Sequence, residues 1–222
     1  MKILIVYAHP EPRSFNGAMF HAAQKALTAA DHEVRVSDLY AMNFDPVSGP
    51  QNFIRLQNPV FFKQQLEEMY ASEKQLFIRQ INEEQDKLEW CDLMIWQFPL
   101  WWFSVPGIMK GWVDRVFAMG RVYGSGRIYD TGVFIGKRAL LSLTTGGPQE
   151  DYIDGGLQGD LTGILRPILR GILQFTGFSV LQPHVVHGPA RMSADDRHLE
   201  LERWQSRLDD IFSESEMLVG QY

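Results

Sequence analysis

The sequence contains a single cysteine, Cys91, among 222 residues. One cysteine cannot form a disulfide within the chain, and such low cysteine use favours a reducing compartment. A domain of this length buries roughly 70% of the surface that its unfolded chain exposes, which is enough for stability without a disulfide or a structural metal. The sequence therefore predicts a cytoplasmic protein that is held together by its apolar core.

Long apolar runs and an excess of basic residues are also missing. No run of about 18 apolar residues occurs, so no transmembrane helix is expected. The N-terminal stretch MKILIVYAHPEP has one lysine and a short apolar run without a small-residue cleavage site, which does not fit a signal peptide. Acidic residues outnumber basic ones by 27 to 21, a net charge of −6. We therefore expect neither membrane insertion nor a nucleic-acid partner.

The chain alternates between runs of strand length and helical patterns. Strands are predicted over residues 2–8, 32–39, 92–98, 138–147 and 178–186. Helices are predicted over residues 16–30 with Asn16 as N-cap, 62–89 with a break near Ala71, 105–118, 161–177 with a kink at Pro167, and 194–214. Five strands that are each followed by a helix predict a single α/β domain over residues 1–222, with a doubly wound parallel sheet and helices on both faces.

Ligands of such sheets bind beyond the carboxyl ends of the strands, where the strand order reverses. Three unusual segments leave predicted strands there, namely AHPEPRSFN (8–16), PLWWFSVPG (99–107) and TTGGPQEDYIDGG (144–156). The first segment ends at a helix N-terminus, and the donors of His9, Arg13 and Ser14 would suit a phosphate. A plain capped helix with a charged loop explains that segment equally well.

The other two segments could hold a flat ring. Trp102 and Phe103 could stack on a planar ligand, although large aromatic residues under a long loop often fill the core instead. A polar edge for such a ring, or simply a glycine-rich turn, is offered by Thr144, Thr145, Gly146 and Gly147. A planar heterocycle that carries phosphate would satisfy all three segments at once, and flavin is the leading candidate.

These stretches, together with SDLYAMNFDP (37–46), YDTGVF (129–134) and GILQFTGF (171–178), resemble the NAD(P)H:quinone oxidoreductases, the DT-diaphorase-like family with the flavodoxin-like fold. The resemblance is collinear from about residue 2 to residue 204. It implies tightly held FAD, with FMN less expected, and hydride transfer from NADH or NADPH to a quinone in a ping-pong mechanism. It also implies a homodimer with its active site at the interface, which could reduce azo or nitroaromatic compounds as well.

The resemblance also assigns roles residue by residue. The predicted cofactor-binding residues are His9, Ser14, Phe15, Asn16, Pro99, Leu100, Trp102, Phe103, Thr144, Thr145, Gly146, Gly147 and Arg197. The predicted walls of the substrate pocket are Trp102, Phe103, Tyr123 and Phe175, and the tyrosine at position 123 comes from the partner subunit in the family. Tyr152 and Gln158 are the predicted catalytic residues. Gln158 stands where mammalian members have a histidine, which can take up a proton whereas glutamine cannot.

Two other functions remain open from the sequence. Proteins of this fold also serve as ancillary subunits of potassium-efflux transporters, and flavodoxins carry single electrons. The spacing of His184 and His187 could indicate metal ligands, but no cysteine or carboxylate accompanies them, so no metal is expected.

Overall fold

All strands of the sheet run parallel to their neighbours. A computed structural model describes residues 1–220. The strands are β1 (Lys2–Tyr7), β2 (Glu33–Asp38), β3 (Leu93–Pro99), β4 (Arg138–Thr145), β5 (Ser179–Val180) and β6 (His184–His187). Their order is β2-β1-β3-β4-β5, and β6 also pairs with β4. The predicted flavodoxin-like α/β sheet is confirmed, and its strand order reverses between β1 and β3.

Within residues 1–220 there are six α-helices. They are α1 (Phe15–Ala29), α2 (Gln64–Lys74), α3 (Arg79–Trp90), α4 (Gly107–Val116), α5 (Leu161–Ile168) and α6 (Ala194–Asp209). All but α2 contribute to the apolar cores on the two faces of the sheet. Ile3 and Ile5 of β1 belong to the core beneath α1 and α6, whereas Leu4 and Val6 belong to the core beneath α4 and α5. Because both faces are covered, β1 and β3 are apolar almost throughout. Within residues 1–220, no helix has the length and apolar character needed to cross a membrane.

The predicted fifth strand over residues 178–186 is in fact two short strands. β5 and β6 are separated by residues 181–183, which end in Pro183. Proline has no N–H to donate to the neighbouring strand, so the ladder with β4 is interrupted there. The sheet therefore has six strands, although only five positions across it are occupied.

The helix boundaries also differ from the predictions. Ser14 rather than Asn16 caps α1, because its extended backbone lets its hydroxyl accept the N–H of Gly17 at 3.1 Å. The break in the predicted 62–89 helix falls at Gln75, which takes a left-handed conformation, and not at Ala71. The helical geometry of residues 161–177 changes shortly after Pro167, from α to a π segment over Leu169–Leu173 and then to a 3₁₀ turn. The final helix ends at Asp209 rather than residue 214.

Candidate functional site

A cleft of about 470 Å³ lies beyond the carboxyl ends of β1, β3, β4 and β6. This is the position where open α/β sheets bind ligands, and the volume lies in the usual range of small-molecule sites. Ten of the predicted cofactor-binding residues line the cleft, namely His9, Ser14, Phe15, Asn16, Pro99, Leu100, Thr144, Thr145, Gly146 and Arg197. Four further lining residues were not predicted as cofactor ligands: Trp101, Gly188, Pro189 and Ala190.

One end of the cleft is the N-terminus of α1. Ser14 caps this helix, and the N–H groups of Phe15 and Asn16 have no acceptor among residues 1–220. Nδ1 of His9 lies 3.0 Å from both the backbone nitrogen and the carbonyl oxygen of Glu11, so the ring is held against this loop through that atom. These donors, the helix dipole and the Arg197 guanidinium favour an anionic group at this end. Arg13 is highly exposed and pairs with Glu11 instead.

The middle of the cleft rests on buried polar side chains. Gln97 on β3 donates its Nε2 to Oδ1 of Asn16 at 2.8 Å, and Nδ2 of Asn16 donates to Oγ1 of Thr144, also at 2.8 Å. Oγ1 of Thr145 donates to the carbonyl of Gly147 at 2.8 Å and lies 3.0 Å from Nδ1 of His187. Gln97 is not among the site residues predicted from the sequence, because a glutamine inside an otherwise apolar strand is the only signal for it.

The aromatic loop after β3 does not fill the core. The exposed fractions of Trp101, Trp102 and Phe103 are 40%, 95% and 48%. Trp101 and Ser104 exchange two backbone hydrogen bonds of 3.0 Å, and Trp102 and Phe103 between them have left-handed backbones with φ of 52° and 59°. Core packing is therefore the wrong interpretation for this loop. Trp101 lines the cleft, with its ring 6.2 Å from that of His9, whereas Trp102 and Phe103 do not.

The predicted catalytic residues lie in the loop after β4, outside the cleft lining. The ring of Tyr152 lies 5.7 Å from that of His187 and against Gly147, where an added Cβ would be 3.2 Å from the tyrosine Cε2. The backbone N–H of Gln158 donates to the carbonyl of Asp151 at 2.8 Å, which closes this loop on itself. Gly147, the remaining predicted cofactor residue, therefore connects the cleft to Tyr152.

Tyr123 and Phe175 also lie outside the cleft of their own chain. Their rings pack against each other with centroids 5.7 Å apart. The Tyr123 hydroxyl accepts a hydrogen bond from Nε2 of Gln65 at 3.2 Å. Burial raises the pKa of Tyr123, so the hydroxyl stays neutral. Together they form a partly exposed aromatic pair on the surface of the protein.

His184 and His187 have neighbours other than metal ligands. The His184 ring packs on that of Trp204 at 4.4 Å, and burial lowers the pKa of His184 to about 4. Burial also lowers the pKa of His187. No group of three or more potential ligands among residues 1–220 could hold a metal ion.

Cys91 is fully buried, and burial raises the pKa of its thiol to about 12, so it is no nucleophile at neutral pH.

Comparison with known proteins agrees with this architecture. The family described as having the flavodoxin-like fold matches residues 1–208. A ribosyldihydronicotinamide dehydrogenase [quinone] from Rattus norvegicus is 44% identical over 214 residues, covering 96% of this chain and 93% of that protein. An NAD(P)H dehydrogenase [quinone] 1 from Cavia porcellus is 43% identical, covering 96% of this chain and 78% of its own length.

The chain belongs to this family of flavodoxin-like quinone oxidoreductases.

Solved structures of relatives agree at the level of the backbone. A structure from Klebsiella pneumoniae is 41% identical with a TM-score of 0.94, covering 97% of this chain and 86% of that one. The NAD(P)H:quinone oxidoreductase from Methanothermobacter marburgensis is 25% identical with a TM-score of 0.73, covering 96% and 97% of the two chains. The resemblance expected from the sequence motifs is thereby confirmed.

Proposed function

We propose that the protein is a flavin-dependent NAD(P)H:quinone oxidoreductase that holds FAD in the cleft beyond β1, β3 and β4. The observation that carries this proposal is the composition of the cleft. Three kinds of surface meet at the point where the strand order reverses. They are hydrogen-bond donors for an anion at the start of α1, polar groups at the end of β4, and an apolar wall from the loop after β3. The quinone dehydrogenases among its relatives favour the same activity.

The residues of the cleft fit a flavin nucleotide. The free N–H groups of Phe15 and Asn16 and the side chain of His9 suit the phosphates and the chain that links them to the ring. Pro99, Leu100 and Trp101 present an apolar surface to the ring. A Cβ added to Gly146 would meet nothing within 4 Å, so the polar edge of a ring can approach its backbone.

A bound flavin would supply the redox chemistry, namely transfer of a hydride from a dihydronicotinamide to a quinone. The protein has to bind, orient and shield the reactants. We expect the donor and the quinone to use the same apolar face in turn, which gives ping-pong kinetics. An open face of this kind would also admit azo or nitroaromatic acceptors. Tyr152, beside Gly147, is the side chain that would offer a hydroxyl proton to negative charge at the polar edge.

We infer a homodimer from the aromatic residues at the surface, and a cytoplasmic location from the single cysteine. Trp102, Phe103 and the Tyr123–Phe175 pair present apolar rings at the surface, outside the cleft of their own chain. Exposed aromatic side chains are common at the centres of protein interfaces. We infer that Tyr123 and Phe175 of one subunit complete the substrate pocket of the other, with Trp102 and Phe103 at the junction.

The donor could also be a dihydronicotinamide that lacks the adenylate half. This second candidate rests on the names of several relatives, which are ribosyldihydronicotinamide dehydrogenases. Nothing in the fold or the site favours a role as a subunit of a potassium-efflux transporter. The aromatic surfaces beside the cleft also do not suit a one-electron carrier, which needs an exposed cofactor edge rather than a second stacking site.

The proposal is tested by isolating the protein with its cofactor. We expect a yellow protein that releases FAD on acid treatment, which chromatography distinguishes from FMN. Initial rates with NADH, NADPH and dihydronicotinamide riboside, each with a panel of quinones, then identify the donor. A colourless protein that binds neither FAD nor FMN would contradict the proposed function.

A further inference from the structure

Three buried polar side chains form a chain of hydrogen bonds that leads to the floor of the cleft. Gln97, Asn16 and Thr144 are 1%, 4% and 6% exposed and lie on β3, α1 and β4. Gln97 donates to Asn16, and Asn16 donates to Thr144, each over 2.8 Å. Asn16 and Thr144 line the cleft, whereas Gln97 lies behind them. Burying these groups costs free energy that their hydrogen bonds only partly offset, since Oε1 of Gln97 has no partner within residues 1–220, whereas apolar groups of the same volume would not incur that cost.

The chain has a direction, which the chemistry of each group fixes. An amide nitrogen only donates and an amide oxygen only accepts, so the contact from Gln97 to Oδ1 of Asn16 turns Nδ2 of Asn16 towards Thr144. Oγ1 of Thr144 is therefore an acceptor from Asn16, and its own proton is not used in this bond. Within residues 1–220 that proton has no acceptor, so it is available to a group in the cleft.

The opposite direction is disfavoured at Gln97. In the observed direction its second N–H faces Sδ of Met19 at 3.8 Å, and only Oε1 is left without a partner within residues 1–220. If the amide were reversed, both N–H groups would lose these acceptors inside the core. Leaving two buried donors unpaired costs more than leaving one acceptor unpaired.

Thr145, the residue after Thr144, already donates its hydroxyl proton within the protein. The hydroxyl proton of Thr145 goes to the carbonyl of Gly147 at 2.8 Å, so Nδ1 of His187 must donate to Oγ1 over their 3.0 Å separation. Thr145 thus ties the loop after β4 to β6 and has no proton left for a ligand. Two adjacent threonines of the same strand therefore serve different purposes.

We propose that Gln97 and Asn16 are positioning residues that make the Thr144 hydroxyl a hydrogen-bond donor to an acceptor atom at the polar edge of the cleft ligand. This inference rests on the proposed function, in which that ligand is a flavin whose ring carries carbonyl oxygens and unprotonated nitrogens. An acceptor that gains negative charge on reduction is held more tightly by a fixed donor. The hydrogen bonds from Gln97 through Asn16 to Thr144 would therefore affect both the affinity of the protein for flavin and the reduction potential of the bound flavin.

A double-mutant cycle on the full-length protein tests the inference. The variants are Gln97→Leu, Thr144→Val and the double variant, measured by FAD binding to the apoprotein and by the midpoint potential of the bound flavin. We expect Thr144→Val to raise the Kd of FAD about 10-fold and to lower the potential, since one hydrogen bond is lost. Gln97→Leu should move both quantities in the same direction, and the double variant should differ little from Thr144→Val. Non-additivity is expected because Gln97 acts only through the Thr144 hydroxyl.

Three controls separate positioning from general damage. Thr144→Ser retains the hydroxyl and should preserve the affinity and the potential. Ser142→Ala removes another buried hydroxyl of β4, one without a partner among residues 1–220, and should leave both unchanged. Thermal unfolding of each apoprotein reports any loss of fold, and Gln97→Met replaces Gln97→Leu if the latter does not fold.

Additive effects in the cycle, or a Gln97 variant with wild-type affinity and potential, would overturn the inference while leaving the flavin-dependent function standing. If the wild-type protein binds no FAD and no FMN, the inference and the proposed function both fail.

Discussion

Trp102 and Phe103 have an energetically unfavourable backbone conformation. A left-handed backbone costs an L-residue roughly 1–2 kcal/mol, and both residues adopt it while their rings remain exposed. Neither ring recovers that cost by packing in the core. Strained residues of this kind persist where the surrounding structure imposes them, commonly at binding sites. Their position beside the cleft supports the proposed role as a surface for a ring or for a second subunit.

The hydroxyl of Tyr152 is the most direct single-residue test of the proposed mechanism. We expect Tyr152→Phe to slow reduction of the bound flavin by about 10-fold or more, because one donor to developing negative charge is lost. Single-turnover rapid mixing with the donor measures this rate without product release. Tyr70→Phe is the matched control, because the Tyr70 hydroxyl on α2 accepts a hydrogen bond from Arg55 and does not line the cleft. Equal rates in the wild type and Tyr152→Phe would remove Tyr152 from the mechanism.

Individual residues show both the power and the limits of the sequence. His9, Pro99 and Thr144 could be placed at one cleft because each follows a strand, and the ends of parallel strands meet. The sequence favoured Trp102 and Phe103 as the rings along the ligand, whereas Trp101 lines the cleft of this chain, because the left-handed turn at residues 102–103 decides which ring faces it. Gln97 could not be found, since its importance depends on a hydrogen bond to a helix 81 residues away in the sequence.

At the scale of elements, the close approach of α1 to the loop before it sets the shape of the anion end. A Cβ added to Gly17 would lie 2.0 Å from the carbonyl oxygen of Pro12 and 2.8 Å from its carbonyl carbon. Only glycine therefore allows the first turn of α1 to sit against residues 8–14. The loop cannot move away without displacing Ser14, which caps the same helix.

We expect Gly17→Ala to reduce the free energy of unfolding by about 1–3 kcal/mol, because overpacking forces the backbone to shift. The affinity for FAD should fall as well, since the shift moves the N–H groups at the start of α1. Denaturant unfolding and FAD titration measure the two effects. Gly107→Ala is the control, because a Cβ there meets nothing within 4 Å. A Gly17→Ala protein with unchanged stability and affinity would show that this contact is unimportant.

The number and order of the elements were better predicted than their ends. Hydrophobic patterns located β1, β3 and β4 closely, because strands buried on both faces are apolar throughout. The patterns failed where backbone geometry decides the outcome. Pro183 divides the last strand, Gln75 takes the left-handed conformation that separates α2 from α3, and Ser14 outcompetes Asn16 as the cap.

For the molecule as a whole, His184 links stability to pH. Burial lowers its pKa to about 4 from the ordinary 6.5, so the unfolded chain binds a proton there more readily than the folded protein does. Its contribution to stability is therefore complete above pH 6.5 and is lost as the pH falls towards 4. One pKa unit corresponds to about 1.4 kcal/mol, so the loss reaches up to about 3 kcal/mol.

We predict that His184→Phe, which can still pack on Trp204, loses less stability between about pH 7 and pH 4 than the wild type. Urea unfolding at a series of pH values provides the comparison. His198→Gln, which removes a highly exposed histidine, serves as the surface control for the same measurement. An identical pH dependence for wild type and His184→Phe would mean that His184 is not the group responsible.

At the level of the whole protein, we propose that the cleft holds a flavin through which a hydride passes between two substrates that bind in turn. Anaerobic rapid mixing tests this in two separate half-reactions. We predict that a dihydronicotinamide donor bleaches the bound flavin fully without a quinone present, and that a quinone then restores its colour without donor. Formation of a long-lived one-electron flavin, or reduction only when donor and quinone are present together, would contradict it.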